Sequence, residues 1–255
     1  MKPYYQDSAV TLYHGDCLEI MPQLDAASVD MVLCDLPYGT TICAWDSLIA
    51  FDPMWLAYWR LIKSGSPVLL FASQPFSSLL VSSNLPKFRY EWIWEKSKAS
   101  NFIRAKKQPL KAHESILCFA DKEPAYFPQN TPGKPFLGEG RSKKGSESGT
   151  LPRVPNPTFR HDNNGSRYPR SVQYFATAET ERTGALHPTQ KPQLLCEYII
   201  KTYSDSGATI LDNCAGSGTT LFAAACIGRK AIGIEIEEKY CEIAAKRMAQ
   251  EVLAF

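Results

Sequence analysis

The chain is poor in histidine, with four in 255 residues, and none of its eight cysteines forms a C-x-x-C pair. The cysteines stand singly at 17, 34, 43, 118, 196, 214, 226 and 241. Neither a zinc-ligand spacing nor a disulfide framework follows from that scatter. It reads as cytosolic, and Cys34, Cys118 and Cys226, set in apolar runs, read as small buried hydrophobes. Net charge is nearly absent: 28 Lys plus Arg against 26 Asp plus Glu leave +2, so any attraction for a polyanion must be local. No apolar signal core follows Met1. The longest uncharged stretch, 64–86, is broken by Pro67, Gln74, Pro75, Asn84 and six serines beyond Ser64. That argues against a membrane span and for strand, turn and helix within a core. No internal repeat is visible.

What is present begins with Ser28-Val-Asp-Met-Val-Leu-Cys-Asp-Leu-Pro-Tyr-Gly39. Val29 to Leu33 suits a buried strand of a parallel sheet. Pro37 has no N–H for the ladder and pushes Leu36 out of the helical region, and Gly39 lets the chain turn away. A carboxylate (Asp35), a turn carbonyl (Pro37) and an aromatic ring (Tyr38) are thereby grouped at the carboxyl end of a strand. Ligands of open α/β sheets bind at such ends, and a planar N–H donor stacked on Tyr38 would suit these acceptors. Taken alone, the same residues also describe a plain strand exit capped by a solvated Asp.

Around that stretch, short apolar runs alternate with helical periods. Strands are expected at 9–14, 29–33, 67–72, 88–94, 114–120, 208–212 and 231–236. Helices are expected at 17–24, 51–63, 74–83, 192–203, 219–227 and 238–251, the second with Asp52-Pro53 at its start. Strand–helix alternation of this kind favours a doubly wound α/β sheet. From 121 to 185 Pro, Gly, Ser, Asn and charge dominate, and 134–148 reads as mobile. The organisation expected is therefore one α/β domain of 1–120 and 186–255 carrying an insertion at 121–185.

Near the carboxyl end, Asp212 closes a strand, Gly216-x-Gly218 opens a helix, and Glu235 closes the next strand. Glycines admit close backbone approach, and an acid about 20 residues on accepts ribose hydroxyls. Leu221 stands where a dinucleotide fingerprint needs its third glycine, and no Gly-Lys-Ser/Thr follows for a phosphate loop. A nucleoside cofactor without a pyrophosphate, S-adenosylmethionine, fits this pattern; the bland alternative is a glycine helix start in an ordinary α/β unit.

Four motifs carry a family resemblance. Asp-Leu-Pro-Tyr at 35–38 resembles the Asp-Pro-Pro-Tyr of DNA amino-methyltransferases, and Asp-Asn-Cys-Ala-Gly-Ser-Gly-Thr-Thr at 212–220 resembles their cofactor loop. His187-Pro-Thr-Gln-Lys-Pro192 looks like the segment before that loop, and Gly15-Asp16-Cys17 like the contact to the cofactor adenine. The catalytic motif comes first, which is the permuted beta-group order. The resemblance covers about residues 9–120 and 186–255. It implies a mostly parallel seven-stranded Rossmann-like sheet, S-adenosylmethionine as cofactor, and a target-recognition role for the insertion. Asp35, Pro37 and Tyr38 become the catalytic group. Asp16, Cys17, Asp35, Lys191, Asp212, Cys214, Ala215, Gly216, Gly218, Thr219, Glu235 and Ile236 become the cofactor group, with Lys191 approaching the cofactor carboxylate or forming a solvated helix start. Leu36 replaces the family's first proline and leaves the acceptors in place. Cys214 replaces a phenylalanine near the methionine end of the cofactor.

The residues support amine methylation in their own right. An exocyclic base amine is a poor nucleophile, and acceptors for both its hydrogens favour a pyramidal nitrogen with a directed lone pair. The base has to leave the duplex to reach them. C5 methylation needs a Pro-Cys nucleophile, and no proline here precedes a cysteine. Asp as first motif residue goes in the family with adenine N6 and Ser with cytosine N4, so adenine-specific DNA methylation is the reading. Cytosine N4, an adenine in RNA, and a non-catalytic nucleic-acid binder stay as alternatives; a protein-glutamine methyltransferase is disfavoured, since Asn is expected there in place of Asp35.

The polyanion signal is local. Residues 87–111 hold eight basic and two acidic side chains with Trp92, Trp94 and Phe102 interleaved, either a DNA-backbone groove or a solvated loop. Lys96, Lys98, Arg104, Lys106 and Lys107 are the contacts expected there. Arg167 joins them from the insertion, where Arg141, Lys143, Lys144, Arg153, Arg160, Arg170, Asn163 and Asn164 also stand. The resemblance brings double-stranded DNA as partner, a bacterial or phage restriction-modification setting that leaves a companion endonuclease open, and frequent dimers.

Overall fold

The computed structural model describes residues 1–39, 48–137, 162–163, 165–178 and 190–251. His187, Cys43, Arg141, Lys143, Lys144, Arg153, Arg160 and Asn164 lie outside them, as does most of the 134–148 segment. The chain divides into a unit of 1–127 with 170–255 and a second of 128–169.

In the first unit the elements run β1 (Tyr5–Gln6), β2 (Val10–His14), α1 (Cys17–Ile20), β3 (Met31–Asp35), α2 (Phe51–Leu61), β4 (Val68–Ala72), α3 (Phe76–Ser83), β5 (Phe88–Ser100) and β6 (Lys111–Phe119). The second unit supplies β7 (Thr131–Pro132), β8 (Phe136–Leu137), β9 (Asp162–Asn163) and β10 (Ser166–Arg167), which form two antiparallel pairs, β7 with β10 and β8 with β9. The first unit resumes with β11 (Val172–Phe175), α4 (Gln193–Tyr203), β12 (Thr209–Asp212), α5 (Thr219–Cys226), β13 (Lys230–Glu235) and α6 (Glu238–Glu251).

Among the described residues nine strands share one sheet, in the order β1-β2-β13-β12-β3-β4-β6-β5-β11. Seven of them, β2 to β5 in that row, are the expected sheet; β1 and β11 extend its edges. The β11 strand pairs parallel with β5 from Val172 opposite Ile93 to Phe175 opposite Lys96. Four residues are too few for a periodic signal, so composition assigns them to the insertion, and ladder hydrogen bonds to β5 place them in the sheet.

Side-chain alternation splits the core in two. Met31 and Leu33 of β3 face one cluster, with Leu195 and Ile199 of α4, Phe222 of α5 and Cys241 of α6. Val32 and Cys34 face the other, with Met54 and Tyr58 of α2 and Phe76 and Leu80 of α3. Each central strand is thus buried on both faces, which is why β3 and β4 read as unbroken apolar runs. Leu36 is buried in the second cluster, so the variant position of the motif packs in the core. Cys34 and Cys118 are buried as expected, but Cys226 is exposed. It ends α5, whose last turn emerges beyond the six buried residues Thr219 to Ala224. Among the described residues no helix is long and apolar enough to cross a membrane.

Candidate active site

Neighbouring strands β3 and β12 end in Asp35 and Asp212. From β3 the sheet continues to β4 on one side, and from β12 to β13 on the other. Strand order reverses at this pair, the place where open α/β sheets take their ligands. A cleft of about 940 Å3 opens there.

On the β3 side, the Tyr38 hydroxyl donates to Asp35 Oδ1 at 2.8 Å and Lys191 Nζ donates to Asp35 Oδ2 at 2.6 Å. Lys191 Nζ also lies 3.3 Å from Glu114 Oε2, and Lys96 donates to Glu114 Oε1. Asp35, Lys191, Glu114 and Lys96 thus form a chain of alternating charge, with the neutral Tyr38 hydroxyl bonded to its first member. Burial raises the Asp35 carboxyl above its ordinary range; Lys191 opposes that shift and Glu114 adds to it. Burial disfavours the Lys191 ammonium, but Asp35 and Glu114 outweigh it and hold its pKa above the ordinary lysine value. Burial would raise Glu114 too, and the two lysines pull it below. The Tyr38 ring stacks on Phe76 with centroids 4.9 Å apart and planes at 24°, so one of its faces is already covered.

On the β13 side, Gly15 N–H donates to the Glu235 carbonyl at 2.9 Å, prolonging the β2–β13 ladder. Asp16 then caps α1 by accepting the Leu18 N–H at 2.8 Å. The Glu235 carboxylate accepts the N–H of Gly216 at 2.6 Å and of Glu237 at 2.9 Å, which aims it while each oxygen keeps capacity for another donor. Asp212 accepts the Cys214 N–H at 3.1 Å, and burial pushes its carboxyl up to about 6 against hydrogen bonds from Thr220 and Cys214. Asn213 Oδ1 accepts the Tyr58 hydroxyl at 2.5 Å, tying the loop to α2. The Cys214 thiol meets those of Cys17 and Cys34; these contacts and burial hold it well above the ordinary thiol range, so the residue is a neutral filler of the loop.

Of the residues marked in the sequence, Asp16, Cys17, Asp35, Pro37, Tyr38, Lys191, Asp212, Cys214, Ala215, Gly216, Thr219, Glu235 and Ile236 line this one cleft, with Lys96 and Lys98. Gly218 does not. Its φ of +77° and a Cβ position 2.9 Å from Ala244 Cβ make it the packing glycine between α5 and α6. Lys191 is buried between two protein carboxylates, so it is not a solvated helix start. Lys96 is tied to Glu114, whereas Arg104, Lys106 and Lys107 are exposed in the β5–β6 connection, outside the cleft lining. Arg167 belongs to the second unit, where it donates to the Lys134 carbonyl. Sequence reasoning missed Glu114 and Phe76, and also Thr177 and Ala178, which line the cleft just beyond β11. Glu114 carried one signal, a lone acid in a strand that becomes wholly apolar two residues later.

A nucleoside carrying a cationic sulfonium suits this lining. Asp35, Asp212 and Glu235 are three carboxylates facing the cleft, and Gly216, at φ +52°, has open space where a Cβ would stand. Asp16, Asp212, Gly216 and Glu235 are the residues that would hold it.

Fold and cleft together suit a doubly wound α/β enzyme that takes a nucleoside cofactor. Residues 29–246 match the N6_N4_Mtase family model, DNA methylase, and the chain belongs to that family. Its members use S-adenosylmethionine. The chain is 31% identical to the DNA adenine methyltransferase YhdJ of Escherichia coli K12, over 96% of this chain and 84% of that protein. It is 27% identical to the type II methyltransferase M.ScaI of Streptomyces caespitosus, over 98% and 84%. In fold it resembles the cytosine-N4-specific PvuII DNA methyltransferase, with a TM-score of 0.66 at 16% identity over 96% of this chain and 88% of that one.

Proposed function

We propose that the protein methylates the N6 amine of an adenine flipped out of double-stranded DNA, and that Asp35, Pro37 and Tyr38 carry the reaction. The observation that supports this most is the opening of the Asp35–Tyr38 pair onto the same cleft as Gly216 and Glu235. When bound, S-adenosylmethionine supplies an electrophilic methyl group. Asp35 Oδ1 and the Pro37 carbonyl accept the two amine hydrogens, and the Tyr38 hydroxyl yields its bond to Asp35 as the amine arrives. Acceptors on both hydrogens direct the nitrogen lone pair, so positioning and charge placement carry the rate. Tyr38, backed by Phe76, offers its remaining face to the base. The nitrogen becomes cationic on methylation, and Asp35, raised by burial, is suited to take its proton.

In this reading the 128–169 unit contributes to target recognition, and Lys98, Arg104, Lys106 and Lys107 contact phosphates. A homodimer, a companion endonuclease and a bacterial cytoplasmic setting complete it. The test is transfer of a labelled methyl group to DNA, followed by nucleoside analysis. The expected product is 6-methyladenine, abolished by Asp35→Ala; N4-methylcytosine in its place, or full activity of that variant, refutes the assignment.

A further inference from the structure

The connection between β5 and β6 is a tip of apolar and cationic side chains beside the cleft. Asn101 takes the left-handed conformation, φ +73°, and leads into a single 3-10 turn, Phe102–Arg104. Every residue from Phe102 to Leu110 is exposed. Ile103 is 101% exposed, so it contributes no burial to the fold. Lone exposed apolar residues are ordinary on protein surfaces. Ile103 differs in its neighbours. Phe102, 59% exposed, lines the same cleft as Asp35, and so do Lys98 to Asn101 that lead to it. Arg104, Lys106 and Lys107 follow within four residues, all exposed.

We infer that Ile103, backed by Phe102, is a wedge that enters the DNA base stack at the gap left by the target base. This rests on the proposed methylation of a flipped-out base. The three cations hold phosphates on either side of the tip. An apolar side chain between base steps offsets the unstacking that extrusion requires, as in proteins that kink duplexes with Phe, Leu or Ile. Water is then excluded from Ile103, and burial of a side chain of this size is worth roughly 10–100-fold in an equilibrium constant. Phe102, at the cleft rim, lies on the path from stack to pocket.

The methylated site is first mapped by sequencing plasmid DNA treated with the wild-type enzyme. Two duplexes carrying that site are then compared, one with the target paired and one with an abasic position opposite it. On the paired duplex Ile103→Ala is expected to lower kcat/KM about 10–100-fold, and Ile103→Leu to retain most of it. On the abasic duplex, whose target base costs little to extrude, Ile103→Ala is expected to come within about threefold of wild type. Fluorescence of 2-aminopurine at the target position should rise on wild-type binding and stay low with Ile103→Ala. No loss on the paired duplex, or an equal loss on both, overturns the wedge and leaves methyl transfer standing. Failure of the wild type to methylate any DNA overturns the proposed function and the wedge with it.

Discussion

Replacing Asp212 with Asn is expected to make the protein more stable at neutral pH and less able to bind its cofactor. Asp212 is buried, and its carboxyl is raised from 3.8 to about 6. A raised carboxyl binds its proton more tightly in the folded state, so stability is lost as pH climbs from 3.8 through 6 and that loss is complete above. A shift of about two units at about 1.4 kcal/mol each amounts to about 3 kcal/mol at pH 7, and to about half of that at pH 5. An amide carries no charge to desolvate, and its oxygen still accepts the Cys214 N–H, while the rotatable Thr220 hydroxyl can become the acceptor. Asp212→Asn should therefore exceed wild type by up to about 3 kcal/mol at pH 7, with the excess shrinking toward pH 5. Urea unfolding without added cofactor, at pH 7, 6 and 5, measures it. An Asn variant no more stable than wild type at pH 7, or an excess that ignores pH, would show that Asp212 is solvated or compensated and would refute the argument. The gain in stability also marks the functional cost: a charge held against burial at a strand end is the kind of strain that ligand sites retain.

Other substitutions probe the neighbours. Gly218→Ala forces a left-handed φ on a residue with a Cβ and drives that Cβ to 2.9 Å from Ala244 Cβ. Strain and overpacking together should cost about 2–4 kcal/mol in urea unfolding, and a loss under about 1 kcal/mol would mean that α5 and α6 separate easily. Glu114→Gln leaves Lys96 and Lys191 facing a neutral amide at side chains only 11%, 9% and 13% exposed for Lys96, Lys191 and Glu114. Breaking such a pair costs about 3–5 kcal/mol at neutral pH. Glu114 is lowered in the folded state, so its contribution is present above the ordinary Glu value of 4.5 and fades as pH falls below it. Equal stability of variant and wild type at pH 7, read by urea unfolding, would remove Glu114 from the charge chain.

Local chemistry was enough for much of this protein. Apolar runs at 31–34 and 67–72 announce strands buried on both faces, because nothing polar interrupts them. Three strand ends announce the cleft, because Asp35, Asp212 and Glu235 each close a largely apolar run with a carboxylate. Tertiary structure decided the partners. Lys191 stands 156 residues from Asp35, and no local pattern tells that its ammonium lies buried between Asp35 and Glu114. Phe76 reads as one more apolar residue of a helix until α3 lays it under Tyr38. Gly218 resembles a cofactor glycine by spacing and is a packing glycine because α6 crosses it. The short strand Val172–Phe175 exists through its ladder with β5 and brings Thr177 and Ala178 to the cleft. Which residue ends a strand is written in neighbours along the chain. Which residue neutralises, stacks on or crowds it depends on register between distant segments, and only the folded sheet sets that.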